Sequence, residues 1–137
     1  MQEAYRQATY AFQEGEIPIG AVVVINNRII AKAYNQTEKL NDVTAHAEML
    51  ALTAAAEYLG NKYLNDCTLF VTVEPCVMCA GASYWAQLKR VVYGTSEPKH
   101  GYRRVGNLLH PKTEMVSGVM AQECAELMAT FFAAKRK

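Results

Sequence analysis

Apolar positions in this chain keep two periods, and the switches between them divide it into nine segments. Ala4, Ala8, Ala11 and Phe12 recur at helical spacing up to Gly15, which predicts a helix over residues 1–14. Ile19 to Ile25 is a continuous β-rich run. Asn26-Asn27 tolerates positive φ, and Arg28 to Tyr34 returns as a partner strand, so a hairpin is expected. Asn35 to Thr44 is polar and reads as a loop. A helix is predicted from about Thr44, as its cap, through Leu59, with Gly60 beyond its end. Cys67 to Val73 is a third strand, and Pro75 suits the first turn of a helix running to about Ala86. Lys89 to Gly94, Lys112 to Ser117 and Met120 to Ala134 follow as strand, strand and helix. The order α-β-β-α-β-α-β-β-α, with helices long enough to cover both faces of one sheet, predicts an α/β fold. No repeat, low-complexity tract or linker interrupts residues 1–137, which read as one domain with a sizeable core. Thr95 to Pro111 is the longest irregular stretch and the expected site of a substrate-facing loop.

Composition narrows the class. The chain is 51% hydrophobic and 20% charged, as in ordinary globular proteins. No apolar run is long enough to span a bilayer, and Met1 to Glu16 does not read as a secretory signal, so a cytosolic protein without a membrane role is expected. Of four cysteines, Cys67 and Cys124 sit in apolar stretches and read as buried free thiols, a Cys67–Cys124 disulfide being the alternative. The formal net charge is +1, but residues 1–98 carry a balance of −3 and residues 99–137 one of +4. A basic C-terminal third suits a phosphate backbone, and it suits a solvated tail equally by charge alone.

The chemistry concentrates in His46-Ala47-Glu48 and Pro75-Cys76-Val77-Met78-Cys79. His46, Cys76 and Cys79 offer three ligands suited to zinc, one ion per chain, and leave a fourth tetrahedral position for water, the arrangement of a catalytic site. Glu48 stands beside a ligand without being needed as one, so it can take the proton of that water and carry it to a leaving group. Cys76 and Cys79 are three apart on a predicted helix, on one face and in the first turn, where thiolate is favoured over thiol. His46 opens the preceding helix. His46 and Glu48 are two apart and do not share a helix face, so the metal is expected off the helix N-terminus. A lone Cys-x-x-Cys reads equally as a redox pair, and a lone His as a core residue; their coincidence favours the metal. A structural zinc site would need a fourth ligand, for which Cys67, His100 and His110 are the spare candidates. A non-catalytic binding module would have no use for Glu48.

His-x-Glu followed by Pro-Cys-x-x-Cys resembles the signature of zinc deaminases that act on nucleobases. With Glu16-Ile17-Pro18-Ile19-Gly20-Ala21-Val22, Thr44-Ala45-His46-Ala47-Glu48 and Val73-Glu74-Pro75-Cys76-Val77-Met78-Cys79-Ala80-Gly81-Ala82, the chain resembles the cytidine deaminase superfamily and, within it, the bacterial tRNA adenosine deaminases. The resemblance extends over nearly all of the chain. It implies a three-layer α/β/α cytidine-deaminase-like fold with a central mixed five-stranded sheet. It also implies conversion of adenosine to inosine in a tRNA anticodon loop, a homodimer, zinc on His46, Cys76 and Cys79, and Glu48 as proton shuttle. Asn35, eleven residues before His46, would hydrogen-bond the flipped nucleoside.

One stretch departs from the family pattern. Lys99-His100-Gly101-Tyr102-Arg103-Arg104-Val105-Gly106 stands where those deaminases carry a Lys-Thr-Gly-Ala-Ala-Gly-Ser-like sequence. Tyr84-Trp85-Ala86 is similar to the related guanine deaminases, so a free-base or nucleoside deaminase of guanine, cytosine or cytidine is the alternative function. Tyr102 among Lys99, Arg103 and Arg104, with the Lys135-Arg136-Lys137 end, offers stacking and phosphate contacts for an unpaired RNA loop, and these four loop residues are the candidate RNA contacts; packing of Tyr102 on its own domain is the equal alternative.

Overall fold

The structure is a computed structural model that describes residues 1–135. It holds α1 (Gln2–Gln13), β1 (Gly20–Ile25), β2 (Arg28–Tyr34), α2 (Ala47–Leu59), β3 (Thr68–Val73), α3 (Val77–Ala86), β4 (Arg90–Thr95), β5 (Glu114–Val116) and α4 (Ala121–Lys135). A 3-10 turn, Tyr102–Arg104, interrupts the segment between β4 and β5. The strands form one sheet in the order β2-β1-β3-β4-β5. β1 runs antiparallel to β2 and β3, while β3, β4 and β5 are mutually parallel, so the mixed five-stranded α/β/α expectation holds.

Alternation along the strands divides the sheet between two helical layers. Ala21, Val23, Leu69, Val71, Val91 and Tyr93 point into a core closed by Ala47, Ala51 and Ala55 of α2 and Ala80 of α3. α1 and α4 pack on the other face and touch each other. Gly20 allows the α1 backbone against β1, since a Cβ there would run into the carbonyl of Ala4. The β1–β2 turn places Asn26 and Asn27 at φ 51° and 61°, the geometry that follows the twist of a hairpin.

Two helix starts differ from the sequence reading. α2 begins at Ala47 and is capped by His46 in extended backbone (φ −73°, ψ 152°), not by Thr44. Thr44 is spent in a turn: its N–H and hydroxyl both donate to Asp42 Oδ1, at 2.8 and 2.7 Å. α3 begins at Val77, with Cys76 as its cap and Pro75 before the helix rather than in its first turn. Cys76 stays extended because its main chain forms a bridge with Gly101. The strand directions then place the site. β2, β3 and β4 all end at one sheet edge, where α2 and α3 start, and carboxyl strand ends are where open α/β sheets bind ligands.

Candidate active site

His46 and Cys76 are the cap residues of α2 and α3, and Cys79 lies one turn into α3. Cys76 Sγ and Cys79 Sγ each lie 3.6 Å from His46 Nδ1. Their ligand atoms all fall within 4.8 Å of one another, and among the described residues this is the group of histidine, cysteine and acidic side chains that converges. A tetrahedral zinc with bonds of ~2.1 Å to nitrogen and ~2.3 Å to sulfur sets its nitrogen and sulfur ligands ~3.6 Å apart, so the trio fits that ion. Cys67, His100 and His110 do not join it, so among the described residues the converging group offers three donors.

Protonation follows from the crowding of donors. Without a cation, the hydrogen bond from Cys79 and then that from His46 draw the Cys76 thiol down to about 4. The Cys76 thiolate in turn holds His46 above its ordinary range. The hydrogen bond that Cys79 donates to Cys76, and then burial, push the Cys79 thiol upward. A dication among these atoms displaces the protons on His46 and Cys79, the coupling expected of a metal site. Glu48, 3% exposed in the first turn of α2, is pushed up to about 7, chiefly by burial.

Two recesses that share Ile17, Ile19, His46 and Glu48 lie beside the trio. One, of about 90 Å³, is lined by Asn35, Thr37, His46 and Glu48. The other, of about 210 Å³, carries Ile17 and Ile19 on one side, Met128 and Phe132 of α4 on another, and Glu97 and His100 toward the rim. Asn35 is buried, and its amide is oriented by Nδ2 donating to Ile17 O at 3.3 Å and Oδ1 accepting from Thr37 N–H at 3.4 Å. One amide hydrogen and one lone pair remain for a ligand. The α4 wall was not anticipated from the sequence, because only tertiary packing brings residues 128 and 132 to this edge. Ile17 and Ile19 lie in the Glu16–Val22 stretch that carries the family resemblance.

The family model of the cytidine and deoxycytidylate deaminase zinc-binding region matches residues 1–95. The chain belongs to the cytidine and deoxycytidylate deaminase family. Its similarity to the tRNA-specific adenosine deaminase of Bacillus subtilis (strain 168) is 44% identity over all of this chain and 89% of that one. A solved structure from work on A-to-I editing by tRNA:A34 deaminases at the wobble position superposes with a TM-score of 0.86 at 40% identity, covering 93% of this chain and 96% of that one. The guanine deaminase of Bacillus subtilis superposes with a TM-score of 0.68 at 41% identity, over 71% of this chain and 62% of that one. The deaminase family binds zinc, and the donor trio of this member accommodates one ion per chain.

The candidate RNA contacts divide. Tyr102 is only 2% exposed and belongs to the core, so its ring is withdrawn from the stacking role expected of it. Arg103 is exposed but ties its guanidinium to Tyr93, Nη1 donating to the phenol oxygen at 3.1 Å. Lys99 and Arg104 are exposed. Lys135 lies over the Phe131 ring, and Arg136 and Lys137 fall outside the described residues. All four cysteines are free, with Cys67 and Cys124 buried, so the disulfide alternative is not formed.

Proposed function

We propose that the chain is a single-domain, zinc-dependent hydrolytic deaminase that converts the wobble adenosine of a tRNA anticodon loop to inosine. The observation that carries the reading is Glu48, buried, lining both recesses and beside the His46–Cys76–Cys79 trio. Its support is the similarity to tRNA-specific adenosine deaminases over the whole chain.

In this reading His46 Nδ1 and the sulfurs of Cys76 and Cys79 hold the ion. Zinc held there would bring a water able to give up its proton near neutral pH. Glu48 accepts that proton and passes it to the purine ring nitrogen, while the water oxygen bonds to the carbon that carries the amine. The same carboxyl then takes the proton of the hydroxyl so formed and delivers it to the amine, the carbon–nitrogen bond breaks, and ammonia leaves a ring carbonyl behind. Asn35 orients the flipped nucleoside through its free amide hydrogen and oxygen. Ile17, Ile19, Met128 and Phe132 exclude bulk water from the reacting atoms, which strengthens the electrostatics there.

A homodimer is the assembly supported by α3. Val77, Tyr84 and Trp85 share one helix face, and Trp85 remains 76% exposed, an apolar surface that a second copy can cover. Among the described residues no helix is long and apolar enough to cross a membrane. Two buried free thiols suit a reducing compartment, so the cytoplasm is the proposed location.

The test is an assay of purified protein on an anticodon stem-loop with wobble adenosine, beside free guanine and cytidine. Inosine formed in the RNA, with the two small substrates left unconverted, is the expected result. Turnover of guanine without inosine moves the chain to the free-base reading, which the likeness to the guanine deaminase of Bacillus subtilis favours.

A further inference from the structure

Glu16, Glu48 and Glu74 are buried at 2%, 3% and 7% exposure, and only Glu48 has a part in the chemistry above. Glu74 follows β3 directly and precedes Pro75 and the ligand Cys76. Its Oε1 accepts the Glu97 N–H and its Oε2 accepts the Arg103 N–H, both at 3.0 Å. Between those points the chain folds back on itself and onto the ligand segment. Gly101 N–H donates to Glu97 O at 2.8 Å, Tyr102 N–H donates to Pro75 O at 2.9 Å, and Gly101 is bridged to Cys76. A Cβ at Gly101 would run into the Glu74 carboxylate, so the backbone approaches as closely as glycine permits. The three ion pairs among the described residues lie elsewhere, so main-chain N–H groups are what answers this buried charge. A carboxylate suits that role and an amide does not. Gln has a single acceptor oxygen, and its NH₂ would face one of the two N–H donors.

We infer that Glu74 is a positioning residue for the reaction. Its carboxylate sets the 97–103 segment in register with Cys76, and so places Glu97 and His100 at the pocket rim where the substrate enters. The part concerning turnover rests on the deaminase reading, whereas the register of the segment does not.

Glu74→Gln and Gly101→Ala, each as zinc-loaded full-length protein, test it through zinc content, amide exchange and a KM-against-kcat split. Both variants should keep one zinc per chain. The amides of Glu97 and Arg103 should exchange ~10-fold faster or more in Glu74→Gln, as a segment released from its anchor does. KM for the stem-loop RNA should rise ~10-fold while kcat per zinc changes less, since a displaced wall weakens the hold on substrate. A merely structural role would reduce the amount of active protein, which scales kcat and leaves KM in place. The double variant should be no worse than the poorer single one, because both act on the same contact. Wild-type KM together with wild-type exchange at Glu97 and Arg103 in folded Glu74→Gln overturns the inference. Should that variant not fold, the same pair of results in Gly101→Ala overturns it. If the wild type does not deaminate RNA, the function reading fails separately, and KM is read on whichever base or nucleoside it does turn over.

Discussion

Loops 35–46 and 96–105 leave the same sheet edge, after β2 and β4, on either side of the β3–α3 junction that carries Cys76. Both are held by a buried carboxylate through main-chain N–H groups. Glu16 accepts from Glu38 at 3.1 Å and Lys39 at 2.7 Å, as Glu74 accepts from Glu97 and Arg103. What they deliver differs. The first loop ends in side chains that meet the chemistry, Asn35 in the smaller recess and His46 in the ligand trio. The second presents its backbone to Glu74 and Pro75, buries Tyr102 and leaves Lys99 and Arg104 in water. In the proposed reading, one loop therefore fixes what reaction is run, and the other shapes what reaches it. Variants on the first should abolish turnover, and variants on the second should alter substrate recognition.

The largest effect belongs to the metal side. Cys79→Ala removes a ligand from a set of three and should lose the zinc and all measurable turnover, with metal analysis falling from about one equivalent toward none. Acid should do the same reversibly. His46 holds its proton more tightly than a free imidazole because the Cys76 thiolate stands beside it. Protons therefore compete with zinc for His46 already above the ordinary value of 6.5, and zinc affinity should weaken as pH falls through that region. Full zinc occupancy in Cys79→Ala would break the comparison at its first step.

Glu48→Ala comes next. It should keep fold and zinc while kcat falls ~10²–10⁴-fold, the scale for losing a positioned acid–base group. Metal content and turnover measured on one preparation separate this residue from the ligands. Substantial deamination by the alanine variant would remove Glu48 from the mechanism.

Legibility in the sequence follows the same division. The convergence of His46, Cys76 and Cys79 is readable because a metal site demands particular side chains at fixed spacing. The sheet was readable because β-rich runs and the Asn26-Asn27 turn are local signals. The helix starts were placed too early, since Thr44 and Pro75 are sound helix openers by type, and only the Asp42 turn and the Gly101 bridge decide otherwise. Glu74 was visible as part of a motif, but its role is to accept from backbone N–H groups, which every sequence offers equally. Tyr102 reads two ways in the sequence, as a stacking ring among exposed basic neighbours or as packing on its own domain, and only tertiary structure turns the ring inward. Met128 and Phe132 of α4 reach the pocket through packing that no local pattern records.

On the second loop, Lys99→Ala with Arg104→Ala should weaken stem-loop RNA binding several-fold and lower the salt dependence of affinity by ~1–2 in slope, if both side chains meet phosphate. Turnover of a small nucleoside, where measurable, should stay unchanged, because neither residue lies among the ligand trio or Glu48. Arg103→Ala should do less to the salt slope than Arg104→Ala, its guanidinium being tied to Tyr93. Binding titrations at several salt concentrations decide the ranking, and an equal loss for both arginines would place Arg103 among the phosphate contacts.

Tyr102→Leu should have the smallest effect on recognition, and it divides the two roles available to that ring. A base-stacking platform loses ~1–3 kcal/mol of RNA affinity when its aromatic group is removed, with little change in the stability of the free protein. A core residue gives the opposite signature. Leucine keeps an apolar side chain in a site that is 2% exposed, so most packing persists and denaturant unfolding should show a loss of ~1–3 kcal/mol. The N–H of residue 102 still donates to Pro75 O, and the N–H of residue 103 still donates to Glu74, since neither bond uses the ring. The loop should thus keep its register, and RNA affinity at a temperature well below the transition should stay within ~2-fold of wild type, equivalent to under ~0.5 kcal/mol. A tenfold loss of affinity with unchanged stability would turn Tyr102 outward in the complex and give the second loop a side-chain role in recognition.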